Sequence, residues 1–295
     1  MMLLYGERQL LLKSFYKQNM YLEKTAIEII NPKIIRGQIR HVLFDFDGTL
    51  SLIRTGWQRI MASLMVETLL CTPKGRELGE EKIQKMVTEY IDASTGLQTI
   101  FQMKWLAEKV TDFGGKPASP WEYKRLYNER LCAYIAERII ALRTGRRFPE
   151  EFLVPGAQKF LVALRDLGVR CYLASGTDEE YVKEEARLLQ IDKYFAGIYG
   201  AQKNWQDVKR TVIKNIIKQH RLQGHEFAAF GDGFVEIQET KAVNGIAVGV
   251  ASDEVAPGRL NLWKRQRLIR AGADLIIPDF ESCEILVNYL FSKEE

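Results

Sequence analysis

The chain has 295 residues, of which 42 are basic and 38 are acidic, giving a formal net charge of +4. Hydrophobic residues make up 46% and charged residues 27%, the usage of an ordinary globular protein, which excludes a largely disordered chain. So small an excess of positive charge argues against a dedicated nucleic-acid-binding protein, which would concentrate that charge on one face.

Two further classes of protein are disfavoured by the residue pattern. No apolar run approaches the roughly 18–20 residues that span a bilayer, so no membrane association is expected. The four cysteines form no Cys-x-x-Cys pair, and so few in so long a chain argue against a disulfide framework. These features predict a cytoplasmic protein.

The first 38 residues are mixed in character and are predicted to form an N-terminal extension without an assigned function. Residues 3–18 have the spacing of a short amphipathic helix, and residues 25–31 have the pattern of a short strand. From His41 the sequence HVLFDF is a short apolar run rich in β-branched and aromatic residues. This run predicts a buried parallel strand.

Residues 52–151 differ from the rest because they carry helical periodicity and almost no strand signal. Four segments place apolar residues three and four positions apart, and Pro and Gly residues separate them. After residue 156, strand and helix patterns alternate to the end, which predicts right-handed crossovers and a parallel sheet. The predicted fold class is α/β: a Rossmann-like parallel-sheet core from residues 39–51 and 152–295, interrupted by an all-helical domain at 52–151.

Polar residues stand where three of the predicted strands end. In chain order they are Asp45 and Asp47, Ser175 and Gly176, and Asp232 with Glu236. Ligands of open parallel sheets bind beyond the carboxyl ends of the strands, so we expect these residues to meet. Neighbouring carboxylates repel each other unless a cation or a proton separates them, and oxygen ligands without soft partners suit Mg²⁺.

Taken in order, these motifs resemble those of the haloacid dehalogenase superfamily, whose phosphohydrolases carry four motifs at strand ends. The first, DxDGT, matches Asp45 to Thr49, the second matches Ser175 in YLASGT, and the fourth matches GDGFVE from Gly231. The likeness is to the phosphoglycolate phosphatase and β-phosphoglucomutase group. It implies that the helical domain is a cap inserted just after the first motif.

The resemblance also implies a role for each matching residue. Asp45 corresponds to the nucleophile that attacks phosphorus and becomes an aspartyl phosphate. Asp47 corresponds to the general acid and base. Ser175 and the amide of Gly176 correspond to the groups that hold phosphate oxygens.

The lysine of the third motif is either Lys203 or Lys209. The resemblance favours Lys209, because Lys209 lies in the first turn of a helix that leads into the strand before Asp232, as in the family. The Mg²⁺ ligands that the resemblance implies are Asp45, the carbonyl of Asp47, and Asp232. Glu236 stands where the family often has Asp, so its metal contact is the weaker assignment.

Three cap residues are candidates for substrate contact: Arg54, Trp57 and Gln98. A cap that closes over the site and excludes water favours a small phosphorylated metabolite over a protein-sized substrate. The predicted function is Mg²⁺-dependent hydrolysis of a small phosphomonoester, such as a sugar phosphate or a phosphoglycolate-like compound. A phosphomutase of the same superfamily and a catalytically silent phosphate- or partner-binding protein stay open, as does the oligomeric state.

One further run of the sequence, WKRQR at residues 263–267, has two interpretations. It fits either a nucleic-acid-binding patch or a solvated helix face. The near-neutral total charge favours the solvated face, so we expect no nucleic-acid partner.

Overall fold

A mixed β-sheet lies at the centre of the computed structural model, which describes residues 20–202 and 207–292. Its eight strands within those residues are β1 (Met20–Tyr21), β2 (Glu28–Ile29), β3 (His41–Phe44), β4 (Arg170–Asp178), β5 (Phe195–Ala201), β6 (Phe227–Gly231), β7 (Ile246–Val250) and β8 (Leu275–Ile277). Across the sheet they lie in the order β1-β2-β8-β7-β6-β3-β4-β5. The strands from β3 to β8 run parallel, whereas β1 and β2 are antiparallel additions at one edge.

The residues between β3 and β4 fold mainly into helices. They are α1 (Trp57–Leu70), α2 (Pro73–Leu78), α3 (Glu80–Ser94), α4 (Thr99–Asp112) and α5 (Pro120–Arg143). Two of these helices begin at a capping side chain: Thr72 Oγ1 accepts from the Gly75 amide at 3.1 Å, and Ser119 Oγ accepts from the Glu122 amide at 3.2 Å. The predicted all-helical insertion after the first core strand is confirmed.

Both faces of the parallel sheet are covered by helices of the core. These are α6 (Ala157–Asp166), α7 (Glu179–Leu188), α8 (Val208–His220), α9 (Phe234–Ala242), α10 (Leu262–Ala271) and α11 (Cys283–Phe291). Successive side chains of a strand point to opposite faces. Phe44 accordingly packs with the residues of α6, whereas Leu43 packs with those of α8. The predicted α/β class with a parallel core is confirmed.

The order of the strands fixes where a ligand site can form. Strand β3 lies between β4 and β6, so the chain changes direction across the sheet at this strand. The amide of Asp45 donates to the carbonyl of Phe230 at 2.9 Å, which ties the end of β3 to the end of β6. Ligand sites of open parallel sheets form at such a switch point, so the ends of β3, β4 and β6 make one edge.

Residues 20–38 join the core sheet through β1 and β2. On β2, the buried carboxylate of Glu28 accepts from Nε of Arg265, which lies on α10, at 2.6 Å. The helix predicted at residues 3–18 lies outside the described residues. The boundaries at residues 38, 52 and 151 stay predictions. Within residues 20–202 and 207–292, each helix is too short or too polar to cross a bilayer.

Candidate active site

Asp45 and Lys209 form a buried ion pair at the carboxyl edge of the sheet. Asp45 follows β3 directly, and Lys209 lies in the first turn of α8. Their Oδ1 and Nζ atoms are 2.9 Å apart, and both side chains are almost fully buried. The alternative lysine, Lys203, lies outside the described residues. The structure thus brings Lys209 to the predicted nucleophile.

Lys209 has a second partner in Glu236, on the first turn of α9. Nζ of Lys209 donates to Oε2 of Glu236 at 2.7 Å, and the amide of Gly233 donates to Oε1 at 2.5 Å. The absence of a side chain at Gly231 is necessary here, because a Cβ would lie 2.2 Å from the Glu236 side chain. Both oxygens of Glu236 are therefore engaged, which favours a role in holding Lys209. Its metal contact stays a prediction.

Asp47 meets two hydroxyl groups at the end of β4. Oδ2 of Asp47 accepts from the Thr177 hydroxyl at 2.9 Å and from the Ser175 hydroxyl at 3.4 Å. Ser175 and Thr177 are two residues apart on β4 and therefore share a face. Sequence reasoning assigned no role to Thr177. The signal that could have found it is this spacing beside the predicted Ser175.

Arg54 lies between Asp47 and a carboxylate that the sequence did not single out. Its guanidinium donates to Glu185 on α7 through three contacts of 2.6–3.1 Å, and its Nε lies 3.8 Å from Oδ1 of Asp47. Arg54 and Glu185 are both buried. The structure thus places Arg54 beside the predicted general acid, with its charge balanced by Glu185. Substrate contact by Arg54 stays a prediction.

The acidic groups of the edge are close enough to share a cation. Oxygen atoms of Asp45, Asp232 and Glu236 lie within 4.8 Å of one another. Such a set of buried oxygen donors fits a hard divalent cation such as Mg²⁺. Oδ2 of Asp232 also forms an ion pair with the ammonium of Lys264, at 2.7 Å.

Burial and neighbouring charges move the pKa values of these acids in different directions. Burial raises the pKa of Asp45, and the carboxylates of Glu236 and Asp232 raise it further, against the opposing Lys209. Burial also raises the pKa of Asp47, although Arg54 opposes the shift. At Asp232 burial acts to raise the pKa, but Lys264, Arg267 and Lys209 together lower it by more. A cation beside Asp45 would favour its ionised form.

The cap packs against the end of β4, where Ser175 and Gly176 lie. The turn before α4 approaches Gly176 so closely that a Cβ on Gly176 would stand 3.3 Å from Cα of Gln98. Gln98 is buried, and its Nε2 finds no hydrogen-bond partner among the described residues. Trp57, at the start of α1, lines the same cavity as Asp45 and Ser175. Arg54 and Trp57 therefore line the cavity of the site, and Gln98 lies against Gly176 beside it, but their contact with substrate stays a prediction.

A family model for haloacid dehalogenase-like hydrolases matches residues 39–244, which is more than half of the chain. The chain belongs to this hydrolase family. The resemblance inferred from the motifs is thereby confirmed.

One curated protein and two solved structures are among those similar to this chain. A 5′-nucleotidase of Pseudomonas aeruginosa is 24% identical over 212 residues, 71% of this chain and 81% of its own length. The solved β-phosphoglucomutase of Clostridium difficile has a TM-score of 0.53 and 16% identity, covering 83% of this chain and 92% of that chain. CbbY of Rhodobacter sphaeroides, solved with xylulose-1,5-bisphosphate, has a TM-score of 0.52 and 18% identity, covering 82% and 95%. The two solved structures share the fold of this hydrolase.

Proposed function

We propose that this hydrolase cleaves a small phosphomonoester through an aspartyl phosphate on Asp45, with Mg²⁺ as its cofactor. The observation that carries the proposal is the buried contact of Asp45 with Lys209, beside the carboxylates of Asp232 and Glu236. A nucleophile beside a fixed cation, at the carboxyl edge of a parallel sheet, suits attack on an anionic phosphate.

The two carboxylates of the first motif divide the chemistry. The Asp45 oxygen attacks phosphorus, and the bond from phosphorus to the ester oxygen breaks. Asp47 gives its proton to that oxygen, so the alcohol leaves. Water then attacks the aspartyl phosphate at phosphorus and gives a proton to Asp47, which releases inorganic phosphate and restores Asp45.

The state of Asp47 suits this exchange of protons. Its pKa is raised by burial, which favours a protonated acid before the alcohol leaves. Its Oδ1 atom is buried and has no hydrogen-bond partner among the described residues. Its Oδ2 atom is held by Thr177, which leaves Oδ1 as the oxygen free to serve the substrate.

The phosphate would be held by groups at the end of β4 and on α8. The Ser175 hydroxyl and the Gly176 amide are proposed to donate to its oxygens, and the Lys209 ammonium to balance their charge. Phosphoryl transfer depends mainly on positioning and on electrostatic stabilisation, so these contacts supply much of the catalysis.

Mg²⁺ is proposed to bind the carboxylates of Asp45 and Asp232 and the main-chain carbonyl of Asp47. Glu236 is proposed to act mainly through Lys209, because both its oxygens have partners. When bound, the metal supplies positive charge to the oxygens of the transferring phosphoryl group.

The substrate is proposed to be a small phosphorylated metabolite, such as a sugar phosphate or a phosphoglycolate-like compound. The cap lies against the site at Gly176, which limits the room for a large substrate. The names of the similar proteins, a 5′-nucleotidase and a sugar-bisphosphate-bound CbbY, add nucleotides and sugar bisphosphates to the compounds worth testing. A cytoplasmic location is also proposed, with the four free thiols as its support.

A screen of phosphate release tests this function. Purified protein is incubated with a panel of phosphorylated metabolites, with Mg²⁺ and with a chelator, and the Asp45→Asn variant serves as control. We expect metal-dependent release from one group of small esters by the native chain only. Isomer formation without phosphate would instead identify a mutase, and no reaction with any compound would reject the enzyme.

A further inference from the structure

The basic side chains of residues 263–267 contact the protein interior. The sequence predicts a solvated helix face here, and for these side chains that prediction is wrong. Lys264 contacts Oδ2 of Asp232 at 2.7 Å, and Arg265 contacts Glu28 at 2.6 Å. Arg267 donates to two main-chain carbonyls. Trp263, by contrast, is 60% exposed. Three cations of α10 are thus committed to internal partners, and two of them, Lys264 and Arg267, bind different atoms of Asp232.

Arg267 joins the cap to the core. Its Nη1 atom donates to the carbonyl of Asp92, on α3 of the cap, at 2.9 Å. Its Nη2 atom donates to the carbonyl of Asp232, after β6, at 2.8 Å. The planar guanidinium carries several donors in a fixed fork, so one side chain can bind both carbonyls at once.

A second contact lies close to this bridge. A Cβ on Gly96 would stand 2.9 Å from Cα of Gly233, and a Cβ on Gly233 would stand 2.8 Å from Cα of Gly96. The cap turn therefore rests on the residue after Asp232, backbone against backbone. Movement of the cap away from the core would break this packing together with the bond from Arg267 to Asp92.

We propose that Arg267 is a positioning residue that couples the position of the cap to the position of Asp232. While the cap is in place, Arg267 holds the main chain of Asp232 and Lys264 holds its carboxylate. When the cap moves away, Arg267 loses one of its two anchors, and the loop at Asp232 loses its contact with Gly96. The consequence for catalysis rests on the metal role proposed for Asp232, whereas the coupling itself does not.

Hydrogen exchange of the metal-free full chain tests the coupling. In Arg267→Met, we expect amides of residues 92–98 and 231–236 to exchange about 5–10 times faster together, as local opening becomes easier. Arg265→Met is the matched control, since it removes an internal ion pair of the same helix; its effect should stay near Glu28 and β8. Unchanged exchange in either segment of Arg267→Met would overturn the proposal.

A conservative variant, Arg267→Lys, is the control for misfolding of Arg267→Met. Arg267→Lys keeps the charge but has one terminal nitrogen on a shorter side chain, so it cannot reproduce the fork. We expect faster exchange in the same two segments, with an unchanged circular dichroism spectrum. Native exchange in both segments of this variant would show that charge alone suffices, and the bridge would be rejected.

Direct binding of Mn²⁺, followed by electron paramagnetic resonance, separates this proposal from the proposed function. We expect Arg267→Met to weaken Mn²⁺ binding about 10-fold, the lower end for groups that orient metal ligands, and Arg265→Met to leave it unchanged. Equal affinity of Arg267→Met and the native chain would overturn the consequence of the coupling for the metal site. Failure of the native chain to bind Mn²⁺ would reject the metal role of Asp232, while the exchange result would still decide the coupling.

Discussion

The Lys209 ammonium lies 2.9 Å from Oδ1 of Asp45, and both side chains are buried. Burial by itself lowers the pKa of Lys209, but the carboxylates of Asp45 and Glu236 raise it by more, so the lysine stays charged. The pair therefore fixes the carboxylate proposed as the nucleophile and places a positive charge beside it.

Replacement of this lysine should damage both catalysis and folding. Lys209→Met removes the cation and leaves Asp45 and Glu236 as unpaired buried acids. We expect kcat to fall about 100–1000-fold, and the free energy of unfolding to fall by about 3–5 kcal/mol. Phosphate release and urea denaturation measure the two effects. Lys214→Met, an exposed change on the same helix, should leave both unchanged.

The hydroxyl of Thr177 should matter for the general acid. Thr177→Val keeps the shape but removes the donor to Oδ2 of Asp47, a hydrogen bond of 2.9 Å. We expect kcat to fall about 10–100-fold, because Thr177 stabilises the carboxylate that Asp47 becomes when it gives up its proton, and a bond to a charged group contributes about 1.5–3 kcal/mol. Thr177→Ser keeps the hydroxyl and should retain most of the rate. If valine and serine variants are equally active, the hydroxyl does not support Asp47.

The ion pair of Arg54 and Glu185 permits a double-mutant test. Burial raises the pKa of Glu185 to about 7, although Arg54 opposes the shift. Arg54→Met leaves that carboxylate buried without its partner and should cost about 3–5 kcal/mol of unfolding free energy. Adding Glu185→Leu should recover most of the loss in urea denaturation, whereas additive losses would show that the two residues are not coupled.

The activity of Arg54→Met and of the double variant should not follow their stability. Both Arg54→Met and the double variant remove the cation 3.8 Å from Asp47, so both should be slower than the native chain. Recovered stability without recovered kcat would place Arg54 in the support of Asp47. Full recovery of kcat in the double variant would show instead that Arg54 serves stability alone.

His41, at the opposite end of β3, should make stability depend on pH. Its pKa is lowered to about 4 by burial first, then by His220, Arg170 and Arg40, against Glu226. Below about pH 6.5 the unfolded chain takes up a proton that the folded chain does not take until about pH 4. Stability contributed by neutral His41 is therefore lost as the pH falls through this window, by up to about 3 kcal/mol.

Urea denaturation between pH 7 and pH 4 checks this effect. His41→Asn cannot take up the proton, so its stability should fall less steeply than that of the native chain over the window. The difference between the two slopes is the measured quantity, because it cancels the titration of groups common to both proteins. Parallel slopes would show that His41 does not titrate as the structure indicates.

Much of the site can be predicted from the sequence, because the parallel strands bring the short motifs at their ends to one edge of the sheet. Asp45 ends one buried strand and Asp232 ends another, and parallel strands place such ends at one edge whatever the length of chain between them. Local pattern and the right-handed crossover rule are sufficient for these two placements. The preference for Lys209 over Lys203 also depends on the arrangement of the family that the motifs resemble.

The residues that escaped prediction act through contacts that no local pattern encodes. Glu185 lies 131 residues from its partner Arg54, and the two meet because α7 packs beside the loop after β3. Arg267 has the sequence pattern of a solvated helix charge, but its guanidinium binds two main-chain carbonyls. Long, flexible side chains reach partners set by tertiary packing, so their roles depend on geometry that composition and spacing do not contain.

The central claim is that Asp45 attacks phosphorus, and trapping the phosphorylated enzyme tests it most directly. The native chain is mixed with an active substrate and Mg²⁺, quenched in acid within milliseconds, and its peptides are examined by mass spectrometry, with Asp45→Asn as control. The account predicts one added phosphoryl group on the Asp45 peptide, and none in the folded but inactive variant. A phosphoryl group on another residue, or near-normal turnover by Asp45→Asn, would contradict it.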